Sequence, residues 1–242
     1  IGLNSGASNS WSSGGQSNTF VGKNTGYLNS YGANNTALGA RTLSSNTTGA
    51  LNTAVGADAL SNNHTGSFNC GFGQQAMYAN TVGNRNTAIG THALYSGVGA
   101  SESTAVGFNA MKYISNQSAP FTTESVAVGF EALRGSVDFG NVGIRNTAVG
   151  YRAQCGMTSG LNNSSLGLQT LFSNTIGFDN TAIGTEALFF NSEGYYNTAL
   201  GAGALYNNTK GTRNTAVGIN ALVANTTAGF NVAIGLNAMI SQ

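Results

Sequence analysis

Two histidines, two cysteines and eight carboxylates are the side chains of this chain with the most chemistry to offer. Their spacing is poor for it. His64 and His92 stand far apart, as do Cys70 and Cys155, and neither pair has the spacing of a metal site. Two cysteines are also too few for a disulfide framework, so both are expected to be free and packed. There is no phosphate-binding P-loop and no G-x-S-x-G nucleophile elbow. The "GFGQQA" at Gly71 is not a dinucleotide fingerprint. Glu102, Glu124 and Asp138 cluster in sequence about the two longest copies of a repeat described below, and glycoside hydrolysis needs two carboxylates flanking a bond. That stretch is where a carboxylate site is conceivable. The overall expectation is no catalytic residue, no metal and no cofactor.

Composition narrows the field. Charged residues make up 7 % of the chain, against about 25 % in ordinary globular proteins. There are 35 glycines and one proline, and the formal net charge is +1. So balanced a chain offers no basic face for nucleic acid or an anionic membrane. No apolar run is long enough to span a bilayer as a helix. The opening "IGLNSG" has neither Met nor a signal peptide, which predicts a fragment of a longer protein.

What must position these residues is a repeat. "NTAVGADAL" at Asn52 returns as "NTAIGTHAL" at Asn86, "NTAIGTEAL" at Asn180, "NTALGAGAL" at Asn197 and "NTAVGINAL" at Asn214. Copies begin at Asn18, Asn35, Asn52, Asn69, Asn86, Ser103, Ser125, Asn146, Asn163, Asn180, Asn197, Asn214 and Asn231. The interval is 17 residues, except for 22 after Ser103 and 21 after Ser125. Seventeen residues are too few for two helices and a turn. Asn and Thr are poor in helix interiors, and glycine punctuates every copy. The pattern predicts an all-β fold, a parallel β-solenoid with coils stacked at roughly 4.8 Å and about 60 Å in all. One array domain is expected over 1–242, regular at 18–102 and 146–242, with expanded loops at 103–145.

Numbering each copy from its first Asn or Ser, position 5 is always glycine. Gly39, Gly56, Gly90, Gly107, Gly129, Gly150, Gly184, Gly201 and Gly218 are read as corners needing positive φ or close backbone approach. Strand alternation puts neighbouring side chains on opposite faces. Position 4 is a large aliphatic and is expected to fill the coil. Position 3 is nearly always alanine and is then expected outside, as the small-residue seam of a homotrimer. Position 7 varies and is mostly polar, so it should face water, with Arg41 stacked beside Asp58 and Glu131 beside Arg152. Position 10 carries Tyr27, Tyr78, Tyr95, Phe172, Phe189 and Tyr206. That column should cover a corner of the coil, the alternative being a platform for sugar rings. His64 falls at position 13 and His92 at position 7, so they should not meet.

The two long copies carry their extra residues in "KYISNQSAPFTTE", Lys112 to Glu124, and "RGSVDFGNVGIR", Arg134 to Arg145. Insertions in a solenoid become loops, often on the binding side. Lys112, Tyr113, Phe121, Glu124, Arg134, Asp138 and Phe139 are the candidate binding residues.

The NTAxGxxAL unit resembles the repeats of phage and prophage tail-fibre proteins. "SVAVG" at Ser125 to Gly129 is similar to the head repeat of trimeric autotransporter adhesins, whose period is shorter. The resemblance covers the chain from Asn18 onward. It implies a homotrimeric fibre at a virion surface or cell surface, working in attachment without catalysis. The implied partners are further copies of the chain, other fibre or baseplate proteins, and a cell-surface glycan or protein receptor. Nucleic acid and membrane insertion are not expected. The alternatives are an adhesin head, an ice-binding solenoid and a polysaccharide depolymerase. Ice binding needs a flat Thr array, and the Thr column at position 2 is broken by Cys70 and Val126.

Overall fold

Thr, Val, Ile and Leu at positions 2 and 4 favour extended backbone, and the glycine at position 5 ends it. The result is a series of three-residue strands. The structure, a computed structural model, describes residues 2–8, 15–114, 117–136 and 143–241. Its strands are β1 (Thr19–Val21), β2 (Thr36–Leu38), β3 (Thr53–Val55), β4 (Cys70–Phe72), β5 (Thr87–Ile89), β6 (Ala100–Ser101), β7 (Thr104–Val106), β8 (Phe121–Thr122), β9 (Val126–Val128), β10 (Thr147–Val149), β11 (Ser164–Leu166), β12 (Thr181–Ile183), β13 (Thr198–Leu200), β14 (Thr215–Val217) and β15 (Val232–Ile234). Among the described residues there is no helix.

The chain forms two compact units, Ile1–Glu124 and Ser125–Gln242. In the first, β1 to β5 and β7 pair in parallel in chain order, each residue against its counterpart one copy on. β6 and β8 make a separate parallel pair, Ala100 opposite Phe121. In the second, β9 to β15 pair the same way, Ala182 opposite Ala199 and Ala199 opposite Ala216. The turns are bonded coil to coil as well: Leu188 N–H donates to Ala204 C=O at 3.0 Å, and Leu205 N–H to Ala221 C=O at 3.0 Å. This is the expected parallel β-solenoid.

A glycine with positive φ follows each main-sheet strand. Gly201 has φ +136°, and a Cβ there would lie 2.5 Å from the Gly218 carbonyl oxygen. A further feature was not anticipated. Positions 7, 9 and 17 hold left-handed backbone coil after coil, as at Glu186 (φ 56°), Leu188 (φ 53°) and Tyr196 (φ 57°). Among the described residues no Val, Ile or Thr has positive φ, because a β-branched side chain collides with its own backbone there.

The interior corrects the expected facing of the strand. Position 3 points inward: Ala37, Ala54, Ala88, Ala127, Ala182 and Ala199 are buried. Position 4 points outward, with Leu38 49 %, Ile89 44 % and Leu166 50 % exposed. The alanine column is therefore no seam. It is small because position 9 fills the same space from across the coil. In the second unit Leu171, Leu188, Leu205 and Leu222 pack with Ala182, Ala199 and Ala216 in one core. Where position 9 grows to Met77, position 3 shrinks to Gly71, whose added Cβ would lie 3.3 Å from Met77 Cε. Where position 3 is Phe20, position 9 is Gly26, and a Cβ there would enter the Phe20 ring. Buried Gln154 at position 9 meets Ser165 at position 3, its Nε2–H donating to Ser165 Oγ at 2.8 Å.

Two columns of buried asparagine tie each coil shut. At position 1, Asn180 donates Nδ2–H to Gly194 C=O in its own coil at 2.8 Å and to Asn163 Oδ1 at 3.0 Å. Its own Oδ1 accepts the Asn197 backbone N–H at 3.0 Å and Asn197 Nδ2–H at 3.1 Å. At position 12, Asn191 donates to the same Gly194 carbonyl at 3.0 Å and to Asn174 Oδ1 at 2.9 Å. One glycine carbonyl thus receives both amides, from the two ends of the coil. The position 12 amide is replaced by buried Ile114 in the expanded region and by buried Met157 in the regular copy that follows it.

Candidate functional site

Position 7 carries the expected ion pairs. Arg41 grips Asp58 with two bonds of 2.7 Å, and Arg152 Nε lies 3.2 Å from Glu131 Oε2. The column is less wet than expected, since Asp58 and Asn109 are buried. Arg41 reaches along the column to Asp58, though its own side chain stays 59 % exposed. The Asp58 contact raises the Arg41 guanidinium above its ordinary value. His92 Nε2 lies 2.8 Å from Gln75 Oε1, and its ring stands edge-on to Tyr95. His64 is exposed on another column.

Position 10 is a ladder of stacked rings. Tyr78 and Tyr95 stack at 5.3 Å, Phe172 and Phe189 at 5.0 Å, and Phe189 and Tyr206 at 5.2 Å. Phe189 has both faces covered, so it presents an edge outward, as a coil-corner cover does and a sugar platform does not. Burial, then the neighbouring Tyr78, raises the Tyr95 phenol above its ordinary value.

Of the candidate binding residues, Lys112 and Tyr113 are brought together, Nζ lying 5.1 Å from the ring centre. Phe121 is fixed in β8, its N–H donating to Gly99 C=O at 3.0 Å. Glu124 is exposed with φ +49°. In the second unit Arg134 lies 3.5 Å from Glu131. Asp138 and Phe139 lie outside the described residues. The expected Glu131–Arg152 pair belongs to a larger group: Glu131 is shared between Arg134 and Arg152, with the Cys155 thiol 4.0 Å from Glu131 Oε2. Burial pushes that thiol up, although Arg134 and Arg152 pull the other way. Cys155 and Arg134 stand at position 10, where they interrupt the aromatic column. Among the described residues no three His, Cys, Asp or Glu gather to hold a metal ion.

The largest regular surface is the outward face of the strands, columns 2 and 4. Column 2 is Thr, Ser, Cys or Val, and column 4 is Val, Leu, Ile or Phe. All 17 charged residues of the chain lie off both columns. A strand face left to water is normally polar. This one alternates hydroxyl and aliphatic rows, and the aliphatic row is largely exposed: Ile183 is 44 % and Phe72 39 % accessible. Sequence reasoning missed the face because it assigned column 4 to the interior.

No helix among the described residues is long and apolar enough to cross a membrane. No family model, no curated protein and no solved structure matches the chain.

Proposed function

We propose that the chain is the structural and host-attachment segment of a trimeric viral tail fibre, acting without catalysis. The observation that carries the reading is the uniform coil. Strands, turns and two asparagine columns bond in register from one copy to the next. Such a stack is stiff along its axis and carries load through many small, repeated bonds. Three copies would present each receptor-facing loop three times and gain avidity from it. The partners are further copies, neighbouring fibre or baseplate proteins, and a surface glycan or protein. The location is a virion or cell surface. Sedimentation equilibrium at several concentrations tests the reading. A stable species near three times 24.6 kDa supports it, and a monomer throughout removes it.

One observation favours a second reading. The Thr column is not alone, because an aliphatic column runs beside it on the same strand face. A monomeric, uncharged, regular surface of that kind suits an ice-binding solenoid. Thermal hysteresis in a dilute solution of the monomer would establish it, and its absence would end it.

A further inference from the structure

We infer that the outward strand face, columns 2 and 4, is the surface through which copies of this chain join. The inference rests on the fibre reading above and replaces the alanine seam expected from the sequence. Three observations carry it.

The first is chemistry. In the second unit the face runs Val126/Val128, Thr147/Val149, Ser164/Leu166, Thr181/Ile183, Thr198/Leu200, Thr215/Val217 and Val232/Ile234. Charge is absent from it, while the same unit places Glu131, Arg152, Glu186, Glu193, Lys210 and Arg213 on other columns. Contiguous apolar patches of a few hundred Å² on a soluble chain mark interaction surfaces.

The second is extent. Seven strands at about 4.8 Å, each about 10 Å long from position 2 to position 4, give roughly 330 Å² for this unit. A standard stable interface covers about 800 Å² per partner. The first unit carries six strands of the same kind and adds roughly 290 Å², which brings the chain to about 600 Å², the lower end of that class.

The third is pitch, and it selects the occupant. The aliphatic row is a ridge repeated once per coil, with a hydroxyl row beside it. Only a surface with the same repeat meets every ridge along the length, and a second copy has it by construction. A globular partner would match a few coils and leave the rest open. Closed, symmetric association of identical chains is also the commonest form of soluble oligomer.

Cys70 gives a direct readout. It lies in column 2 of β4, half-exposed in the single chain, whereas Cys155 is buried. The native wild-type protein is treated with a maleimide and the labels are counted by mass spectrometry, beside sedimentation equilibrium. The variants are Thr181→Lys/Ile183→Lys on the face and Thr227→Lys on an exposed turn. The expected result is a multi-chain wild type whose Cys70 labels at least tenfold more slowly than in urea. The paired variant should become monomeric with unchanged circular dichroism, while Thr227→Lys stays associated. A multi-chain wild type with freely labelled Cys70, or an associated paired variant, overturns this face and leaves the fibre reading standing. A wild type that is monomeric at every concentration overturns both. If that monomer also shows thermal hysteresis, the face belongs to ice. Should the paired variant fail to fold, the Cys70 rate of the wild type decides.

Discussion

At position 9 the chain asks for a side chain that fills the coil while its backbone is left-handed. Leu and Met can do this at a cost, and β-branched residues cannot without a clash. Besides Gly26 and Gln154 the column holds Leu43, Leu60, Met77, Leu94, Met111, Leu133, Leu171, Leu188, Leu205, Leu222 and Met239, all with positive φ. Leu188→Ile should therefore lose more than the cost of repacking, although volume is kept, because the β-branch adds a backbone clash that Leu lacks. Leu188→Met should cost less than about 1.5 kcal/mol. Urea denaturation of the two variants measures the difference, and equal losses would mean the backbone term is absent. Cys155 supplies a residue-scale pH effect. Its thiol is raised by burial, so the fold holds the neutral form. The stability this carries is complete below the ordinary thiol value of about 8.5 and is lost as pH rises through the raised value. Melting temperature should fall on the alkaline side, and Cys155→Ala should make that fall shallower. Cys70 and Tyr95 are shifted the same way and keep part of the slope.

At the scale of the coil, the asparagine columns carry what hydrophobic burial cannot, because the core is mostly alanine with one leucine per turn. Asn180→Ala would leave the buried Asn197 N–H without its acceptor and take one of two donors from Gly194 C=O. Orphaned buried groups cost about 1–3 kcal/mol each, so a loss on the order of 3 kcal/mol is expected by denaturation. Asn207→Ala is the comparison: position 11 lies outside both columns and should cost under about 1 kcal/mol. The period, the glycine corners, the Arg41–Asp58 and Glu131–Arg152 pairs and the aromatic stack were all legible, because each is a column property that a repeat writes out many times. The facing of the strand was not. Alternation says that positions 3 and 4 point opposite ways, but not which way is in. Size was taken as the guide, and size misleads where the opposite wall already fills the space. The clue was present as paired exceptions: Phe20 with Gly26, Gly71 with Met77, Ser165 with Gln154. The Glu131, Arg134, Arg152 and Cys155 group stayed hidden because it joins columns 7 and 10, which were read separately.

For the molecule as a whole, association and stability are linked. If copies join as proposed, the melting temperature should rise with protein concentration, since assembly draws the folded chain out of the unfolding equilibrium. Scans over a hundredfold range would measure it, and a concentration-independent midpoint would count against reversible assembly. The asparagine columns have one more consequence, for how such a gene changes. Asn180 bonds to a glycine of its own coil and to the like residue one coil away. Within the regular runs, as from Asn174 to Asn225, each coil therefore offers its neighbour the same connector. An unequal crossover between two copies would add or delete whole coils and leave every remaining connector matched. Length is the property this chain is free to vary in single 17-residue steps, without inventing a new core each time.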